Sequence, residues 1–161
     1  MGKPPGASTE ACLVSDLRGK LERARGTTLT AEARHCDVAP VFAYSSAAVV
    51  NEAAVRETIG LQHDVFGQNL DTVMVDRDAD RYAAICQSSA AKSSAKLLAT
   101  TLRQFVDCKK QGLRDGSLAD ATTLEQTCFG AITSDLGGKI SRAKQKLARV
   151  VEKKCVSRGV D

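Results

Sequence analysis

Six cysteines, Cys12, Cys36, Cys86, Cys108, Cys128 and Cys155, are spread widely along this chain of 161 residues. No two of them are close enough for a CxxC zinc, redox or haem-attachment pattern. An even number of isolated cysteines without metal spacing points to disulfides and an oxidising compartment. Disulfides join only residues whose Cα atoms come within roughly 7 Å. Any fold for this chain must therefore bring distant segments together in pairs.

The segments themselves read as helices. The only prolines are Pro4, Pro5 and Pro40, so nothing after position 40 interrupts a helix by removing an N–H. Residues 78–110 contain neither Gly nor Pro. Within them Ala84, Ser88, Ala91, Ala95, Leu98, Leu102 and Phe105 recur at alternating steps of four and three, which predicts one inward face of a long helix. A last helix is expected from Asp135, with Ile140, Ala143, Leu147 and Val150 on its inner face. A first helix is expected from Asp16, ending at Cys36 before Pro40. Asn51 is expected to cap a helix carrying Ala54, Val55, Ile59, Leu61 and Val65, closed by Gly67. Residues 118–129 are expected to add a short helix. The fold class is all-α: a disulfide-stapled helical bundle with a long antiparallel hairpin. Residues 1–11 are expected to be a flexible tail, and residues 12–161 one helical domain, with 12–75 packed on a hairpin at 76–157.

Helical geometry selects cysteine pairs. Cys86 and Cys108 lie 22 positions apart, about 33 Å along a helix, so they do not bond to each other. Cys128 precedes the last helix and Cys155 ends it. Folding the two long helices back on each other brings Cys108 to Cys128 at the loop end and Cys86 to Cys155 at the open end. Cys12 and Cys36 are left as a third pair by elimination. They flank a helix about 30 Å long, so their pairing requires a sharp bend, for which Gly26-Thr27-Thr28 is the one candidate.

The chain also contains an internal repeat. DLRGKLERARGTTLTAEARHC (16–36) and DLGGKISRAKQKLARVVEKKC (135–155) align without a gap. Asp, Leu, Gly, Lys, Arg, Ala and the final Cys coincide. The Asp is read as a helix cap, and the final Cys as a staple position.

With FGQNLD (66–71), with DRDADRYAAICQSSAAKSSAKLLATTLRQFVDCKK (76–110), and with the second copy of the repeat, the chain resembles a cysteine-framed helical module found in large predicted secreted proteins of bacteria. The resemblance extends over most of residues 12–155. Its most specific parts are Cys86-Gln87, Cys108-Lys109-Lys110 and the Gly-Lys helix starts. It implies a secreted helical domain. The family has no established activity, so no catalytic residue is carried over.

Few residues suggest chemistry. The two histidines, His35 and His63, lie on different segments, and His63-Asp64 would point apart on a helix. GGKIS (137–141) has Ile where a phosphate loop needs Ser or Thr after Lys. DRDADRYAAICQ (76–87) spaces Asp76, Asp78 and Asp80 like a calcium loop, but Arg81 replaces the turn Gly and Gln87 the bidentate Glu. No cofactor or metal is expected. Charge is more informative. Residues 51–81 hold seven acids and three arginines, whereas residues 138–158 hold eight bases and only Glu152 as an acid. Lys139, Arg142, Lys146, Arg149 and Lys153 form a candidate face for an anionic partner, weighed against a solvated face that partly neutralises the acidic segment of the same fold. Nucleic acid is disfavoured as that partner, because few aromatic side chains are present to stack bases.

No apolar run approaches the ~20 residues of a membrane span, and the opening MGKPPGASTE has no apolar signal core. The cysteines favour a secreted or periplasmic protein whose leader lies outside this sequence. The expected role is a non-enzymatic binding or structural module with a protein or surface partner. The alternative is a cytoplasmic helical protein that binds an anionic partner through its basic last helix.

Overall fold

The computed structural model describes residues 8–38, 42 and 44–160. They form two compact units that divide between Val73 and Met74. Among the described residues there is no β-strand.

The N-terminal unit starts with helix α1 (Thr9–Val14), capped by the Ser8 hydroxyl, which accepts the Ala11 N–H. Helical order thus reaches into the segment expected to be tail; residues 1–7 lie outside the described residues. Helix α2 (Lys20–His35), α3 (Ala47–Phe66) and the short α4 (Leu70–Val73) follow. α2 runs through Gly26 without a break, and Thr27 and Thr28 return their hydroxyls to the carbonyls of Arg23 and Ala24. The bend that a Cys12–Cys36 bridge requires is absent, and both cysteines are free. α2 ends before Cys36 as expected; Pro40 lies outside the described residues.

α3 starts five residues earlier than the Asn51 cap would set it. Ser46 caps it by accepting from Val49 N–H, and the Glu32 carboxylate of α2 accepts the Ala47 N–H at 2.9 Å and the Tyr44 hydroxyl at 2.5 Å. The Tyr44 hydroxyl and the Ala47 N–H hold the Glu32 carboxyl below its ordinary range, and the hydrogen bond to Glu32 raises the Tyr44 phenol. The Ala47-Ala48 start needs no later cap. Asn51 instead faces α2, and its amide donates to the Arg25 carbonyl at 3.4 Å. At the other end of the unit, the Thr9 N–H donates to the Asp71 carboxylate, which ties α1 to α4.

The C-terminal unit is built on α5 (Arg81–Asp115), 35 residues long. Asp80 caps it through the N–H groups of Tyr82 and Ala83. Gly112 lies inside it without ending it. The true stop is Gly116, whose φ of +74° suits glycine. After it come α6 (Ala121–Leu124), a π turn (Glu125–Phe129) and α7 (Gly130–Ser134). Helix α8 (Lys139–Lys154) and a 3₁₀ turn (Val156–Arg158) complete the unit. Arg158 stacks over the Tyr82 ring, 5.0 Å from its centroid, joining the end of the unit to the start of α5.

α5 and α8 form the long antiparallel hairpin. Cys86–Cys155 closes its open end and Cys108–Cys128 its loop end, with Cα atoms 5.0 and 5.6 Å apart. The rotation of α5 differs from the expected one. Leu98 and Leu102 are 43% and 59% exposed. The inward face is instead Ala83, Gln87, Ala90, Ser94, Leu97 and Thr101, one residue earlier, or about 100° around the helix. Cys86 and Cys108 lie along this face, so the staples set the rotation. Small side chains on it let α8 approach closely, and Ile140 of α8 is buried.

At the loop end, Leu118 folds back onto Gly112, and its N–H donates to the Gly112 carbonyl. A Cβ at position 112 would lie 2.4 Å from Leu118 Cγ. Beside it, Phe105 and Phe129 pack with ring centroids 5.5 Å apart. Gly112→Ala removes a helix-interior glycine, a change that in open space stabilises by about 1 kcal/mol. Here we expect net destabilisation by about 1–3 kcal/mol from overpacking Leu118, measured by chemical denaturation.

The two staples close loops of different size, 69 and 20 residues. Restriction of the unfolded chain contributes about 4 kcal/mol for the longer and about 3 kcal/mol for the shorter. Replacing Cys86 and Cys155 together by Ser is expected to lower the denaturation midpoint more than the same change at Cys108 and Cys128. Equilibrium unfolding of the two double variants without reductant measures the difference.

Candidate functional site

The repeat builds the same local structure twice. In each copy a glycine in the left-handed region, Gly19 (φ +60°) or Gly138 (φ +63°), precedes the helix and donates its N–H back to the Asp carbonyl. The Asp carboxylate caps the helix from outside. Asp16 accepts the Glu22 N–H at 2.8 Å, and Asp135 accepts the N–H groups of Ile140 and Ser141 at 3.1 and 2.7 Å. The Arg four positions after the glycine folds back to a carbonyl before it: Arg23 to Arg18 at 2.9 Å, and Arg142 to Gly137 at 2.8 Å. Each helix has 16 residues and leads into a cysteine whose N–H closes the last turn. The GGK sequence is thus a helix entry: its first glycine receives the Arg142 guanidinium and its second takes the positive φ. The leucine after each Asp, Leu17 or Leu136, is more than 90% exposed, and packing does not account for its recurrence.

These caps position the basic side chains of α8. Between α5 and α8 lies a groove of about 430 Å³, lined by Lys96 and Arg103 from α5 and by Lys139, Arg142 and Lys146 from α8. Ala99, Ala143 and Leu147 give it an apolar floor, and no acidic side chain lines it. Among the described residues Lys96, Arg103, Lys139 and Lys146 have no ion-pair partner. With Arg142, whose guanidinium donates to the uncharged Gly137 carbonyl, they set five positive charges around an apolar floor, a candidate site for negative charge.

The five residues expected from the sequence divide. Lys139, Arg142 and Lys146 line the groove; Arg149 and Lys153 are exposed further along α8 and do not. The sequence reading missed Lys96 and Arg103. Their separation of seven residues puts them on one side of α5, but which side meets α8 depends on the helix rotation that the cysteines fix. Asp76, Asp78 and Asp80 act locally: Asp76 accepts the Asp78 N–H, and Asp80 caps α5. Among the described residues, no three His, Cys, Asp or Glu side chains gather as a metal site. His63 approaches Glu10, with Nε2 and Oε1 3.4 Å apart, while His35 borders a second groove along α2. No helix among the described residues is long and apolar enough to cross a membrane.

No protein-family model matches this chain, and no curated protein or solved structure matches it.

The Ser141 backbone N–H and hydroxyl hold the Asp135 carboxyl below its ordinary value of 3.8. A depressed carboxylate contributes stability that is present above its unfolded value and lost as pH falls through its folded one. α8 is therefore expected to lose part of its N-terminal anchoring below pH 3.8. Thermal melts at pH 6 and at about pH 2 test this. The acid-induced drop in Tm is expected to be smaller in Asp135→Ala, which has no carboxylate left to protonate.

Proposed function

We propose that this chain is a secreted, non-enzymatic binding module that holds an acidic protein segment in the groove between α5 and α8. The observation that carries the reading is the convergence of Lys96, Arg103, Lys139, Arg142 and Lys146 on one groove without an acid among its lining residues. The apolar floor of Ala99, Ala143 and Leu147 selects among anions. A polypeptide that alternates acids with apolar side chains satisfies both walls and floor, whereas a uniformly polar polyanion leaves the floor against water.

A rigid hairpin suits this role. Staples at both ends hold the two helices that form the groove, so little ordering cost attaches to binding. The secreted reading is supported by the two disulfides, which suit an oxidising environment. They count against the cytoplasmic alternative, which requires reduced thiols.

The test uses a labelled helical peptide of alternating glutamate and leucine, with heparin and duplex DNA as competitors, at physiological salt. Lys96→Glu, Arg103→Glu and Lys146→Glu combined are expected to weaken peptide binding by about tenfold or more, because each reverses a charge facing the ligand. Arg149→Glu with Lys153→Glu is expected to have a smaller effect. Arg142 is left unchanged, since it also fixes the α8 entry. Equal losses from both variants would disperse the site over the whole basic face. Tighter binding of heparin or DNA than of the peptide would overturn the choice of partner.

A further inference from the structure

The two copies of the repeat differ in one respect: the second copy is covalently partnered and the first is not. In the second, the cysteines that flank α8, Cys128 in the π turn before it and Cys155 just after it, are bonded to the antiparallel α5. In the first, α2 also has a cysteine at each end, Cys12 on α1 before the Asp cap and Cys36 after the last turn, and both are free. Cys12 stands four positions before its Asp, and Cys128 seven before its own.

The face of α2 that would receive a partner is open. Ala143 and Val150 of α8 are half-buried in the hairpin; their counterparts Ala24 and Ala31 on α2 are exposed, as is Thr27 between them. Gly26, Thr27, Thr30 and Ala31, together with Arg23, Arg34 and His35, line a groove along α2 that holds no bulky apolar side chain. A second helix can come close along it. α3 covers only the adjoining face, through Glu32, Arg25 and the Asn51 contact.

We infer that this face pairs with the α2 of a second copy of the chain, antiparallel across a two-fold axis, with Cys12 of each copy bonded to Cys36 of the other. The two-fold selects this occupant. In an antiparallel, isologous pair, the N-terminal end of each α2 meets the C-terminal end of the other. One cysteine at each end then gives two equivalent bridges and leaves no thiol unpaired. The same polypeptide cannot supply α5 for the purpose, because Cys86 and Cys108 are already bonded. The dimer repeats between two chains the doubly stapled hairpin that α5 and α8 form within one.

Each bridge forms by thiol–disulfide exchange with a small disulfide oxidant such as oxidised glutathione. A Cys12 or Cys36 thiolate attacks one sulfur of the oxidant and releases a glutathione thiolate. The partnering thiolate then attacks the mixed disulfide and releases the second. Two protein thiols are oxidised, and one glutathione disulfide is reduced to two thiols.

The experiment oxidises the intact protein with a glutathione redox buffer and follows it by non-reducing electrophoresis, light scattering and peptide mapping. The native chain is expected to give a covalent dimer containing Cys12–Cys36 peptides. Cys12→Ser alone and Cys36→Ser alone are each expected to stay uncrosslinked, since each lacks one half of both bridges. Mixing the two variants is expected to restore a dimer joined by one bridge. Mapping of Cys86–Cys155 and Cys108–Cys128 in each variant shows that the C-terminal unit remains folded. Four results would overturn the inference: a monomer with both thiols free, a Cys12–Cys36 bridge inside one chain, dimers formed by either single variant, or no dimer from the mixture.

Discussion

The two disulfides of the α5–α8 hairpin hold together a unit whose apolar core is thin. Its buried apolar side chains among the described residues are Ala83, Leu118, Cys128, Ile140 and Cys155, and two of these are staple residues. Cys128 is fully buried within a π turn, where one extra residue per turn lets the short helical run meet α5 at Cys108. With few large side chains to bury, hydrophobic burial alone leaves such a hairpin marginal, and covalent closure is the usual remedy in small extracellular domains. The staples also fix the rotation of α5. That rotation decides which lysines and arginines stand on the groove and which face away.

The repeated phrase is best understood as a portable helix entry. Asp, a left-handed glycine and a backfolded arginine satisfy the first turn without a neighbouring element. The entry works equally in two different settings. In one, α8 is pinned by cysteines to a helix that precedes it. In the other, α2 packs on α3, which follows it, through the Glu32 carboxylate and the Asn51 amide. Identical local chemistry thus leaves the tertiary partner undetermined, and the cysteine after the helix is bonded within the chain in one copy and free in the other.

Much of this architecture was legible in the sequence, for geometric reasons. A Gly- and Pro-free run of known rise per residue, with cysteines 22 positions apart, left Cys86–Cys155 and Cys108–Cys128 as the pairings that a hairpin closes. The phase of α5 was not legible from its apolar pattern. Alanines and serines occupy several faces, as at Ala83-Ala84 and Ala90-Ala91, so a plausible stripe could be drawn one residue late. The cysteines carried the phase, and the position of Lys96 and Arg103 followed from it. In the N-terminal unit, Asn51 resembled a cap, but Ser46 is the local one, and the distant Glu32 carboxylate, which leaves no local signal, joins it in starting α3 at Ala47. Gly26-Thr27-Thr28 resembled a hinge, but the threonine hydroxyls bond within α2 and the helix passes straight through.

The central claim is that α8 is clamped antiparallel on α5 at both ends. Peptide mapping of the folded protein without reduction, after blocking free thiols, tests it most directly. The account predicts one cross-linked peptide pair containing Cys86 and Cys155 and another containing Cys108 and Cys128. Cys86 joined to any other cysteine, or all six thiols blocked in the native protein, would contradict it.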